Sequence, residues 1–406
     1  MKFIHLSDAH LDSPFLGLSF LPFNKFKTIK NSSNESFSRA VNVAIKEKVD
    51  LFLIAGDTFD SVNPSPSSQL FLLQELNRLI NNKIQVVMIL GNHDYLSPQN
   101  MLLPKSPYFK LLGANQVVET FKSKTSTGFS YQVHGFSYQQ NHIQKDMIED
   151  FPSKDPKSFN IGLMHAQEER GQIGADVYAP FKVSELKDLA YEYFALGHIH
   201  KRQQLSEKPL IAYSGNIQGR HINEQGAKGV SLVTVNEQTK QANIEFVKTS
   251  KLEWKLLDVD LQGPLEPREL FELIETRINQ KISGQTLVGI KLKGSQFLTT
   301  EQVELLHEVE ILKRISQKLN FDSALVKIYF QANETIQLNP TDKIAFEKAK
   351  NEIFKKENIA KLAKDLSTKG DWVNEMLGKQ DFVDDVTELA EVKLSQKLKD
   401  RIDEAN

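Results

Sequence analysis

The chain has 406 residues, 40% of them hydrophobic and 25% charged, which predicts two or three globular domains and excludes a single small core. It contains no cysteine, so disulfides, thiolate metal sites and cysteine nucleophiles are excluded and a reducing compartment is expected. The formal net charge of −2 and the lack of any apolar run of membrane-spanning length predict a cytoplasmic protein with no membrane partner; a polyanion would have to be held by a local basic patch or by bound cations.

In chain order, "KFIHLS" (2–7) reads as a short strand, and the opening residues lack the pattern of a signal peptide. The stretch 12–30 reads as a loop rich in apolar residues, among them Phe15, Leu16, Leu18, Phe20, Leu21 and Phe23. With 64–80 it is a candidate dimer contact. A helix is predicted over 35–48, then the near-continuous apolar strand "DLFLIAGD" (50–57), the pattern of a strand buried on both faces. A helix over 67–81 and the strand "IQVVMILGNHD" (84–94) follow. Further strands are predicted at 131–136, 159–165, 193–198, 209–215, 229–235 and 242–249. The expected fold class is α/β: a two-layer β-sandwich core flanked by helices over 1–250. A boundary is expected just before Trp254. Beyond it, strands at 254–261, 286–294 and 324–331 alternate with helical periodicity at 266–282 and 300–319, a small α/β domain over 251–335. The remainder, 336–406, reads as helical.

The polar residues cluster where apolar runs stop. Strand 1 runs into Asp8 and His10; "LIAGD" into Asp57; "ILGNHD" into Asn92, His93 and Asp94; "GLMH" into His165; "ALGHIH" into His198 and His200. In an open α/β sheet the ligand site lies beyond the carboxyl ends of the strands. Asp, His and Asn suit divalent ions such as manganese, iron or zinc. Asp8/His10 and His198/His200 are i, i+2 pairs, which in extended chain face one way. Gly56, Gly91 and Gly197 each precede a ligand candidate and permit close approach. One histidine after a strand is ordinarily a hydrogen-bonded core or surface residue. Five such strand ends in order carry the signal, with donors enough for two ions about 3.5–4 Å apart.

The series "DAH…GDTFD…GNHD…MH…GHIH" resembles the calcineurin-like metallophosphoesterase superfamily over about residues 1–220. Within it, "IHLSDAHLDSPF", "DLFLIAGDTFDSVNPSP" and "YSGNIQGRH" resemble the bacterial DNA-repair exonucleases of YhaO and SbcD type. The resemblance implies one ion held by Asp8, His10, Asp57 and His200, and a second by Asp57, Asn92, His165 and His198, with Asp57 bridging. It implies that His93 is no ligand but faces the scissile phosphate, stabilising the transition state or protonating the leaving oxygen. Asp94 is expected to orient a histidine. Where some relatives carry a second histidine, this chain has Asp60. The expected cofactors are two divalent metal ions, manganese first. The small α/β domain would be a DNA-capping domain.

Two divalent ions against Asp8 and Asp57 leave such a site positive by about two charges, which suits a phosphodiester. Lys201, Arg202, Arg220 and His221 are candidate phosphate contacts. The expected function is a two-metal DNA exonuclease, with endonucleolytic cutting as a second mode, acting in DNA repair. DNA, a second copy of the chain and an SMC-like ABC-type ATPase of SbcC or YhaN type are the expected partners. Trp372, Val373, Met376, Leu377, Phe382 and Val386 are candidate docking residues for the ATPase. The chain lacks a GK[ST] phosphate loop, so any ATP dependence would come from that partner. The competing readings are a phosphomonoesterase or small-molecule phosphodiesterase on the same core, and a metal-bound scaffold without catalysis.

Overall fold

The computed structural model describes residues 1–95, 100–169 and 177–331, with a few positions between 344 and 390. The expected C-terminal helices and five of the six docking candidates lie outside the described residues; Val386 is exposed. The chain divides into two compact units, Met1–Glu253 and Trp254–Asn406.

The first unit runs β1 (Lys2–Leu6), α1 (Phe23–Lys30), α2 (Ser32–Glu47), β2 (Leu51–Ala55), α3 (Pro66–Asn81), β3 (Gln85–Ile89), β4 (Phe109–Leu111), β5 (Glu119–Lys124), β6 (Ser130–Gly135), β7 (Phe159–His165), α4 (Val183–Leu189), β8 (Tyr193–Gly197), β9 (Gln203–Glu207), β10 (Leu210–Tyr213), β11 (Gly229–Val235) and β12 (Ala242–Lys248). Two six-stranded sheets form, in the orders β12-β11-β1-β2-β3-β4 and β5-β6-β7-β8-β10-β9. β1 to β4 are parallel, as are β6, β7, β8 and β10. Antiparallel strands flank both parallel runs.

The layering follows from the strand sequences. "LFLIA" of β2 is buried throughout. Its alternate side chains enter different cores, as the two-residue period of a strand requires. Leu51, Leu53 and Ala55 pack between the sheets with Val133, Ile161, Leu163 and Ala195. Phe52 and Ile54 pack under the helices with Phe37, Ala40, Val41, Leu72 and Leu76. On the far side, Phe194 and Leu196 of β8 pack with Phe136, Leu186 and Tyr191. Parallel strands place their carboxyl ends on one edge of each sheet. The ends of β1, β2, β3, β7 and β8 are the five sequence positions singled out above.

The second unit runs β13 (Glu253–Asp260), α5 (Pro267–Lys281), β14 (Thr286–Lys293), α6 (Thr300–His307), α7 (Val309–Gln317) and β15 (Ala324–Gln331), with a sheet ordered β13-β14-β15. One helix was predicted where α6 and α7 stand. Val303 and Leu306 are buried in α6, and Ile311, Leu312 and Ile315 in α7. In an unbroken helix the first pair would recur near 310 and 313, so the apolar stripe slips by about one residue. Glu308, extended with ψ 128°, sits at that break.

The structure adds α1, β4, β5, α4 and β9 to the elements read from sequence. The apolar stretch before α1 splits: Phe15, Leu18 and Leu21 are buried, whereas Leu16 and Phe23 are exposed. No helix among the described residues is long and apolar enough to cross a membrane.

Candidate metal centre

The site begins where two neighbouring strands stop. Past the ends of β1 and β2 the chain continues as a short second ladder. Asp8 N–H donates to Gly56 O (3.2 Å), His10 N–H to Asp57 O (3.0 Å) and Leu11 N–H to Thr58 O (2.8 Å). The turns needed for this put Asp8, His10 and Asp57 in the left-handed region, with φ of 50°, 43° and 49°; His198 has φ 95°. Each such residue costs on the order of 1 kcal/mol or more, and such strain gathers at functional sites. The i, i+2 pairs are therefore not extended, which corrects the expected reason for their common facing: a sharp turn aims each side chain separately. Glycine is required at two places here. A Cβ on Gly91 would lie 2.2 Å from Asp57 Oδ1, and one on Gly197 2.0 Å from Ala55 O.

All seven candidate ligands converge. Asp57 Oδ1 accepts His93 N–H (2.9 Å), which frees Oδ2 to approach His165 Nε2 (3.3 Å) and His10 Nε2 (3.7 Å). Asn92 Oδ1 lies 3.0 Å from His165 Nε2 and 3.2 Å from His198 Nδ1. Asp8 accepts His198 N–H (3.0 Å) and stands 3.9 Å from His200 Nε2. His10 and His200 face each other, Nε2 to Nε2, at 3.1 Å. Asp8, His10 and His200 form one group with donor atoms all within 4.8 Å, and Asp8, Asp57 and His165 another.

Behind these atoms lie the groups that aim them. His165 Nδ1–H donates to Ala55 O (3.0 Å). His200 Nδ1–H donates to Glu224 Oε1 (2.6 Å). Glu224 Oε2 accepts from Asn216 Nδ2 (2.9 Å) and Arg220 N–H (2.7 Å). Asp60 Oδ1 is 3.1 Å from His10 Nδ1 and accepts from Arg220 Nη1. His5, three residues before Asp8, joins the sheets: its Nε2 bonds Leu196 O (3.1 Å) and its Nδ1 the Tyr193 hydroxyl (2.9 Å).

Burial and charge set the protonation states. Burial, helped by the Arg220 guanidinium, holds His10 down at about 4. Burial and the neighbouring His165 hold His198 at about 3. Both rings are neutral at pH 7 and keep a lone pair to give. Against the same desolvation, the Asp57 and Asp8 carboxylates push His165 up to about 9. Asp57 sits well below the usual carboxylate range: His165, His10 and His93 outweigh its burial. The donor set fits divalent ions. Two imidazole Nε2 atoms at 3.1 Å, each with a carboxylate behind its Nδ1, bring two lone pairs to one point, an arrangement a cation between them satisfies.

The remaining expected residues divide. His93 is exposed at the rim, its Nδ1–H donating to Asp60 O (3.2 Å) and its ring edge-on to His10 at 5.1 Å. Asp94 is corrected: it orients backbone, not a histidine. Its oxygens accept N–H bonds from Gly91 (2.7 Å), Thr58 (2.6 Å) and Phe59 (3.3 Å), tying the loop after β3 to the loop after β2. Burial and the nearby Asp57 push its carboxyl up to about 6. Arg220 is also corrected, because its guanidinium is turned to Asp60 and Glu224 rather than outward. His221 lies 3.4 Å from Glu224, Arg202 stacks over the Phe246 ring at 5.5 Å, and Lys201 is exposed.

Sequence reasoning missed Glu224, Asn141 and Tyr178. Asn92 Nδ2 donates to Asn141 Oδ1 (3.4 Å), and the Tyr178 ring lies over His198 at 4.5 Å. Glu224 follows the "YSGNIQGRH" stretch by three residues. The rule that a metal-bound imidazole wants a carboxylate behind it was the signal that would have found it. Tyr178 and Asn141 carry no such signal, since they arrive from distant loops.

Comparison with known proteins agrees with this geometry. The sequence pattern of the family described as calcineurin-like phosphoesterase matches residues 1–202. The chain is 35% identical over 300 residues to the uncharacterized metallophosphoesterase YhaO of Bacillus subtilis (strain 168), covering 73% of this chain and 72% of that protein. It is 23% identical over 309 residues to the DNA double-strand break repair protein Mre11 of Sulfolobus acidocaldarius, covering 73% and 75%. The protein of the same name from Sulfurisphaera tokodaii is 27% identical over 227 residues, covering 53% of each chain.

Proposed function

The chain belongs to the calcineurin-like metallophosphoesterase family, whose members are metal-dependent phosphoester hydrolases, and on that premise we propose a two-metal DNA exonuclease acting in DNA repair. The observation that carries the reading is the convergence of Asp8, His10, Asp57, Asn92, His165, His198 and His200 from five strand ends, with His93 exposed at the rim. DNA as substrate draws its support from the relatives named for double-strand break repair.

Asp8, His10, Asp57 and His200 would hold one ion, and Asp57, Asn92, His165 and His198 the other; Asp57 belongs to both sets, its Oδ2 lying near His10 and His165. Divalent ions, here assigned as manganese, would offset the phosphate charge, acidify an attacking water and fix the phosphate for in-line displacement. The rest is the work of the chain. His93 is fixed through its backbone N–H on Asp57 and its Nδ1–H on Asp60 O, so a ring that has taken up a second proton would carry it on Nε2 and hand it from there to the leaving oxygen. Asp94 fixes the two loops that carry Asp57 and His93. The unit beginning at Trp254 would cap the DNA, and 336–406 would dock an SMC-like ATPase.

Purified protein with Mn²⁺ should degrade end-labelled linear DNA and show little activity on p-nitrophenyl phosphate. His93→Ala should keep its metal while turnover falls on the order of 10²–10⁴-fold. Preferred hydrolysis of the monoester, or loss of metal from His93→Ala, would overturn the assignment.

A further inference from the structure

Arg220 was expected to meet substrate phosphate. Its surroundings describe another task. The side chain is 16% exposed and stands between two carboxylates. Nη1 donates to Asp60 Oδ1, and Nε lies 3.9 Å from Glu224 Oε2, the oxygen that also accepts the Arg220 backbone N–H. Each carboxylate in turn stands behind one histidine. Glu224 Oε1 takes the Nδ1–H of His200 at 2.6 Å. Asp60 Oδ1 lies at an ion-pair distance of 3.1 Å from the buried His10 Nδ1, a nitrogen that has no hydrogen-bond partner in this geometry. The two rings meet Nε2 to Nε2 at 3.1 Å. The result is an arch: His10, Asp60, Arg220, Glu224, His200, closing on itself at the candidate ion.

We infer that Arg220 is a positioning residue that locks the His10 and His200 side of the metal centre, by holding Asp60 and Glu224 so that both imidazoles carry Nδ1–H and turn their Nε2 lone pairs to one ion. Carboxylate behind imidazole fixes tautomer and ring plane, and loss of such a partner typically costs 10–100-fold in metal affinity. A guanidinium can span two carboxylates where an ammonium serves as a single point charge. Among the described residues no such arch backs the other half of the centre, where His165 rests on Ala55 O and His198 Nδ1 faces the candidate ligand Asn92. The inference therefore predicts damage to one ion and not to the other.

It rests on the two-metal reading, and the test separates the two. The full chain, stripped with chelator, is titrated with Mn²⁺ in a calorimeter, and KM and kcat on linear DNA are measured alongside. Wild type should show two classes of site. Arg220→Met and Glu224→Gln should each weaken one class about 10–100-fold and leave the other unchanged, with Arg220→Lys intermediate. If Arg220→Met melts below the assay temperature, ¹⁵N-histidine NMR of Glu224→Gln decides: His200 should lose the Nδ1–H tautomer that wild type shows. Two unchanged classes with a raised KM would overturn the inference and return Arg220 to the phosphate. A wild type that binds no Mn²⁺ would overturn the two-metal reading itself.

Discussion

The two halves of the metal centre are built on different supports. On the His10/His200 side the imidazoles are backed by side-chain carboxylates, Asp60 and Glu224, joined through Arg220. On the His165/His198 side a strand carbonyl, Ala55 O, backs His165, whereas Asn92 Oδ1 faces both rings as a candidate ligand beside them and the Tyr178 ring lies over His198. Charges hold the first side, and the sheet itself holds the second. The first side should respond to single side-chain changes at a distance, and the second mainly to changes in the ligands or the strand ends.

The largest expected effect tests whether the halves are separable. His198→Ala and His200→Ala should each lose at least a hundredfold in activity, yet each should empty a different ion. Metal analysis after extensive dialysis would show about one ion left in both variants. If both variants lost both ions, the halves would be one cooperative site.

A smaller effect probes the sheet-held side through His5, which braces Leu196 two residues before His198. Burial holds the His5 ring at about 4, against 6.5 for the free side chain. Its folded form is thus depressed, so its contribution to stability is present above pH 6.5 and is lost as pH falls toward 4, where the unfolded chain takes up the proton first. For chelated protein, the loss across that window should be on the order of 2–3 kcal/mol greater in wild type than in His5→Gln. Denaturant unfolding at a series of pH values measures it; parallel curves would mean the ring is not held neutral.

The smallest effect belongs to the rim. Arg202 stacks over Phe246 near the surface, a contact worth about 0.5–1 kcal/mol. Arg202→Ala should shift the thermal midpoint by a few degrees at most. A rise in KM for DNA beyond that would identify Arg202 as a phosphate contact.

Much of this could be read from the chain before its fold. Strand ends are legible because a fully buried strand is written as an unbroken apolar run, so the first polar residue marks the edge of the sheet. Asp57 after "LFLIAG" and His165 after "IGLM" are found that way. What escaped is whatever the fold brings in laterally. Glu224 matters only once the loops after β10 and β2 meet across Arg220; Asp60 was visible as a position but its partners were not, and Asp94 looked like a partner for a histidine because sequence shows neighbours rather than directions. The edge strands β5 and β9 escaped for a related reason: "ETFKSK" and "QQLSE" carry too few apolar residues to announce a strand.

The glycine at 197 has a consequence for the shape of the sandwich. Packed sheets ordinarily stand about 10 Å apart, yet a methyl group on Gly197 of β8 would strike the carbonyl of Ala55 on β2. The two sheets taper toward their carboxyl ends and touch, backbone to backbone, at the rim where the donors emerge. At this contact Asp8, Asp57 and Asn92 from one sheet stand 3.0–3.9 Å from His165, His198 and His200 of the other.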